Sequence, residues 1–141
     1  MDNLSNYEHN LGKDLFLHRQ QVRLNTDMVD GYFITPVDAG QIEMLPGVHR
    51  RTMATTDEAM LCEFFLQRES LVPPHSHMND QVGYVVFGRV EMTIGGEIRV
   101  CAQGDSYAIP GGIVHSARAV VDSLVIDSFS PPRDDYRTEA R

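Results

Sequence analysis

The sequence contains no tryptophan and only two cysteines in 141 residues. Cys62 and Cys101 each stand alone in an apolar stretch, with no neighbouring cysteine that would make a zinc knuckle or a redox pair. Both are expected to be buried, reduced thiols. Positive charge is also scarce: twelve Lys and Arg stand against twenty Asp and Glu, for a formal net charge of -8. No basic run exceeds the pair Arg50-Arg51, so the chain lacks the footprint a phosphate backbone needs, and no nucleic-acid partner is expected. No apolar run approaches the length that spans a bilayer, and the polar first ten residues carry no signal-like core. These absences point to a soluble, cytoplasmic protein with no membrane partner. The length is that of one domain, which buries about two-thirds of its unfolded surface and needs no disulfide or metal merely to fold.

Helical periodicity is nearly absent after residue 30, where short apolar runs alternate with Gly, Pro and Asp. Strands are expected at Tyr32–Thr35, Ile42–Leu45, Val48–Met53, Ala59–Gln67, Gln81–Phe87, Arg89–Ile94, Ile98–Cys101, Ser106–Ile109, Ser116–Val121 and Leu124–Phe129. Strands this short and evenly spaced indicate an all-β sandwich or barrel. Gly95-Gly96 between two alternating runs predicts a two-residue hairpin, whose central positions both need positive φ. Pro73-Pro74 is expected to end the strand carrying Phe64 and Leu66, because proline cannot donate to a sheet ladder. Near the N-terminus, Ser5 with Glu8 fits a capping box, and Leu11, Leu15 and Phe16 supply one face of a short helix that Gly12 weakens.

His75-Ser76-His77 sets two imidazoles on one face of an extended segment, so both rings reach one ion. Gln81 follows where a strand begins, and His115 follows the turn Pro110-Gly111-Gly112. Imidazole nitrogen and amide oxygen are ordinary ligands of divalent transition metals, and zinc, nickel, manganese, cobalt and iron all fit this set. His49 lies on an expected strand, where a hydrogen-bonded surface histidine is an alternative to a cavity position. Asp127 interrupts an apolar strand on the same face as Val125 and Phe129. A carboxylate buried there must be paired, or its pKa rises into the range of a general acid or base; an exposed or arginine-paired Asp is the other reading.

The spacing His75-x-His77, Gln81, Gly88, then Gly104, Pro110-x-Gly112 and His115 resembles the two signature motifs of the cupin superfamily over about residues 45–130. Three positions depart from the pattern: Gln81 replaces a ligand glutamate, Glu69 a leading glycine and Ala119 a closing asparagine. A neutral amide in place of a carboxylate leaves the ion's charge uncompensated, favouring Lewis-acid chemistry on an anionic substrate over iron–oxygen chemistry. The segments Gly47-Val48-x-Arg50, Pro73-x-His75-Ser76-His77, Gln81-x-Gly83-Tyr84-Val85, Gly104-Asp105 and Asp127-x-Phe129-x-Pro131-x-Arg133 are similar to the small cupins of pectin and alginate degradation. Those enzymes hold a metal with His and Gln and convert unsaturated uronates into linear ketonized sugars.

The resemblance implies a cupin-type β-barrel (jelly roll) spanning 41–133, an N-terminal arm at 1–40 and a tail at 134–141. It implies one divalent metal on His75, His77, Gln81 and His115, with Asp127 as acid/base. Phe129, Arg133 and Tyr84 would contact substrate, and Arg133 suits a sugar carboxylate because a guanidinium grips it with two parallel hydrogen bonds. A homodimer is the family expectation. Two other readings stay open. A polyketide cyclase would use the same barrel with an aromatic-lined cavity from Phe64, Phe65, Tyr84, Phe87 and Met92. A ligand-binding cupin without turnover, or a cupin dioxygenase, would use the metal otherwise.

Overall fold

The computed structural model describes residues 32–139. Ten strands follow in order: β1 (Ile42–Leu45), β2 (Val48–Thr55), β3 (Met60–Leu66), β4 (Leu71–His75), β5 (Asp80–Phe87), β6 (Arg89–Ile94), β7 (Glu97–Ala102), β8 (Ser106–Ile109), β9 (His115–Ala119) and β10 (Ser123–Ser130). They make two antiparallel sheets, one of order β1-β2-β3-β10-β5-β8 and one of order β4-β9-β6-β7. Alternation along each strand turns one set of side chains inward, and Val48, Phe64, Val85 and Val125 of the larger sheet share a buried cluster with Val90, Met92 and Ala119 of the smaller. The result is the all-β architecture expected from the strand spacing, in the jelly-roll form that the cupin resemblance implies. A second cluster of Phe65, Phe87 and Leu124 lies apart from this core.

The Gly95-Gly96 hairpin forms between β6 and β7, with φ of 56° and 84° at the two glycines. Two strand expectations change. Residues Tyr32–Thr35 form no strand; Thr35 instead caps a helical turn, α1 (Pro36–Ala39), through a reciprocal box with Asp38. Pro73-Pro74 does not simply end the preceding strand, which stops at Leu66, but sits within β4. An edge position tolerates residues without an N–H, and the register shifts between Val72 and His75 where the prolines fall.

Glu69 has φ of 67°, which accounts for a glycine preference at that position. Its backbone N–H donates to Ala119 O at 2.8 Å and its carboxylate pairs with Arg118 at 3.1 Å, so two of the departures from the family pattern meet in one contact. At the C-terminus a second helix, α2 (Asp134–Glu139), occupies most of the segment expected as a tail. The helix expected near Ser5–Phe16 lies outside the described residues. No described helix is long and apolar enough to cross a membrane.

Candidate metal centre

His75 ends β4 and His115 begins β9, and the sheet register places them opposite one another. His77, two residues on, completes a triangle of rings with centroid separations of 4.2, 4.9 and 5.8 Å. Each ring is fixed from behind by a carbonyl acceptor: His75 Nδ1 to Pro73 O at 2.8 Å, His77 Nδ1 to Asn79 O at 3.0 Å, and His115 Nδ1 to Ile113 O at 2.8 Å. A carbonyl only accepts, so each Nδ1 carries the proton and each Nε2 is left with its lone pair. The loops carrying the rings are tied together, since Gly112 N donates to His77 O and Asn79 Nδ2 donates to Pro131 O.

The three histidines form a group able to hold a metal ion, with one ligand atom from each lying within 4.8 Å of the others. Two observations test that fit. His115 Nε2 is buried with no hydrogen-bond partner. His77 Nε2 and Gln81 Oε1, both lone-pair donors in this arrangement, face each other at 3.0 Å. Such an approach repels unless something positive lies between, and 3.0 Å is about the spacing of adjacent ligands that each sit roughly 2.1 Å from one ion. Burial, with the Arg133 charge next, lowers the pKa of His77, and burial chiefly lowers that of His115, so the neutral, ligating imidazole is favoured in both. The residues present therefore fit a divalent transition metal.

The ligand atoms open into a cavity between the sheets that is continuous with solvent. Asp127 lines it and is 4% exposed. Burial pushes its carboxyl up to about 6, although hydrogen bonds from Tyr107 and Gln81 pull the other way. Arg133 also lines the cavity, its Cζ 4.1 Å from the Tyr136 ring centroid and 5.8 Å from that of Phe129. The opposite face of Tyr136 carries Arg50, again at 4.1 Å, and Arg50 Nη2 and Thr52 Oγ1 both donate to Tyr136 O.

His75, Gln81, His115, Asp127, Phe129 and Arg133 thus line one cavity, and His77 joins them through its contacts with His75, His115 and Gln81. Tyr84 is not brought there. The parity of β5 turns Gln81, Gly83 and Val85 inward and leaves Tyr84 on the outer face, 49% exposed, which corrects its expected role as a substrate contact. His49 also faces away and bonds to the Gln41 side chain at 3.0 Å. Of the aromatic wall expected for a polyketide chain, Phe64 and Met92 line the cavity, whereas Phe65 and Phe87 belong to the separate cluster. Among the cavity residues that the sequence reading does not single out are Tyr107 and Tyr136. Tyr107 had a signal in its alternation with inward Ile109 on β8; Tyr136 had none, because it follows the two prolines that break strand periodicity.

The profile of the family described as Cupin domain matches residues 64–126. The pectin degradation protein KdgF of Dickeya dadantii is 31% identical over 96 residues, covering 67% of this chain and 87% of that protein. The chain belongs to the cupin family. The solved structure of KdgF from Halomonas sp. resembles this cupin with a TM-score of 0.70 and 38% identity, over 75% of this chain and 98% of the other. The polyketide cyclase RemF from Streptomyces resistomycificus superposes with a TM-score of 0.59 at 21% identity, over 68% and 76% of the two chains, a likeness that speaks for the cupin fold alone.

Proposed function

We propose that this cupin is a metal-dependent enzyme that converts a cyclic unsaturated uronate into its linear keto form. The observation that carries the reading is one cavity shared by three inward imidazoles, a buried carboxylate and a guanidinium. Its likeness to two proteins named KdgF, one of them described by its part in pectin degradation, supports the same substrate class.

His75, His77, His115 and Gln81 would hold the ion, which when bound would supply Lewis-acid polarisation of a substrate oxygen. Arg133 binds the sugar carboxylate, its plane already fixed against Tyr136. Phe129 offers a ring face to the apolar side of the sugar. Linearisation removes the proton of the anomeric hydroxyl, breaks the bond from the anomeric carbon to the ring oxygen, and leaves an enolate that takes a proton on carbon. The sum is an isomerisation that needs no co-reactant. Asp127 moves the proton, and a carboxyl near 6 populates both forms close to neutral pH.

The conjugated double bond of the substrate absorbs in the ultraviolet and is lost on conversion. Metal-loaded protein is expected to speed that loss above the spontaneous rate. Asp127→Asn is expected to lower kcat about 100-fold or more, and Arg133→Ala to raise KM about tenfold or more. No acceleration by the wild type, or full activity in both variants, overturns the proposal. A homodimer is the assembly we propose with it, and light scattering on the purified protein decides that separately.

A further inference from the structure

We propose that Tyr107 and Asp127 act together as positioning residues for Gln81, so that the affinity of this site for a divalent ion is set from β8, a strand that supplies no ligand. The inference rests on reading His75, His77, His115 and Gln81 as ligands, but not on the identity of the substrate.

A glutamine amide has two ends of similar shape, and a half-turn exchanges them. Only the oxygen end ligates a metal; the NH2 end would instead donate to the lone pair of His77 Nε2 and occupy it. Gln81 is held with Oε1 at 3.0 Å from His77 Nε2, and its side chain lines the same cavity as Asp127 and favours that group's ionised form. An ionised carboxylate only accepts, so it draws the NH2 end toward itself and leaves the oxygen facing the histidines. Asp127 is in turn fixed by Tyr107, whose hydroxyl donates its single proton to Oδ1 at 2.6 Å. The tyrosine reaches it across β5 above Gly83, where a Cβ would overlap both the Tyr107 ring and the Asp127 carboxylate. The relay runs Tyr107 to Asp127 to Gln81 to the ion, and polar partners of metal ligands typically shift affinity 10- to 100-fold.

The relay makes a prediction that charge or packing alone does not. In Asp127→Asn the new amide accepts from Tyr107 through its oxygen and turns its NH2 toward Gln81. Gln81 then turns its own NH2 onto His77. Asp127→Ala removes the same charge and leaves Gln81 free to choose. Zn2+ affinity of the metal-free proteins, measured by competition with a chromophoric chelator and without substrate, is expected to be about tenfold or more weaker in Asp127→Asn than in Asp127→Ala. Adding Tyr107→Phe to Asp127→Asn releases the new amide and is expected to return affinity to the Asp127→Ala level or above. Equal or tighter binding by Asp127→Asn, or a second substitution without effect, overturns the relay. Should Asp127→Asn fail to fold by circular dichroism, Tyr107→Phe alone decides: about tenfold weaker Zn2+ binding is expected, and wild-type affinity overturns it. Wild type that binds Zn2+ in the expected series yet leaves unsaturated uronate unchanged would sink the proposed reaction and keep the relay.

Discussion

Tyr107 and Asp127 lie on strands that are not hydrogen-bonded neighbours, yet the tyrosine hydroxyl donates to Asp127 Oδ1 at 2.6 Å. Gly83 lies between them in the register, opposite both. Gly83→Ala is therefore expected to displace the ring or the carboxylate, destabilise the protein by about 2 kcal/mol or more, and weaken metal binding. Denaturant unfolding reads the first effect and a zinc titration the second; an alanine variant with wild-type values in both would contradict the geometry.

Asp127 titrates near 6 in the folded protein against 3.8 for an ordinary Asp, with burial the main cause. The folded state thus holds this proton more tightly than the unfolded state, so the group's contribution to stability falls as pH rises from about 3.8 to about 6 and is level above that. The cost of ionising it in place is on the order of 2–3 kcal/mol. Metal-free Asp127→Asn is expected to gain stability over wild type between pH 4 and pH 7, read as a growing difference in urea midpoints. A constant difference across that window would show that the carboxyl is not perturbed.

Metal removal has its own signature. The orphaned His115 Nε2 and the close approach of His77 Nε2 to Gln81 Oε1 are both relieved by a bound cation. Chelator-treated protein is expected to melt lower, and zinc at 100 times its Kd to restore about 2.7 kcal/mol. His115→Ala should abolish that shift. A melting temperature indifferent to metal in the wild type would remove the centre.

Tyr136 lies between two guanidiniums, Arg50 and Arg133, each 4.1 Å from its ring centroid. Tyr136→Ala is expected to leave Arg133 held by its ion pair with Asp135 at 3.0 Å but no longer oriented by the ring, raising KM for an anionic substrate about tenfold while changing kcat little. Steady-state kinetics on the uronate decide this, and an unchanged KM would mean that the ring does not aim Arg133.

Cys62 is fully buried, and burial pushes its thiol up to about 12; burial raises Cys101 as well. Neither is expected to react with a thiol reagent at pH 8 until the protein unfolds, when both should be titrated at once. A prompt reaction of one thiol in the native protein would contradict the packing.

Much of this architecture was legible in the sequence. The hairpin at Gly95-Gly96 and the short β segments follow from local chemistry. His75 and His77 share a face because extended residues two apart always do, and Asp127 stood out as a charge inside an apolar run. The outward face of Tyr84 follows from strand parity: if Gln81 points inward, a residue three positions along the same strand points outward. Tyr107 was harder, because its value lies in a partner across an intervening strand, and sequence does not reveal which strands are neighbours. The strand through Pro73-Pro74 was hidden because nothing local distinguishes an edge strand, where proline is tolerated, from an interior one.

Those prolines bear on how an ion is captured. Their rings hold φ near −65° immediately ahead of His75, whose imidazole is anchored to the carbonyl of Pro73. The first arm of the chelate is thus stiff before any cation arrives, so loading should proceed as a docking event on a ready-made claw, rapid and silent in the far-ultraviolet spectrum.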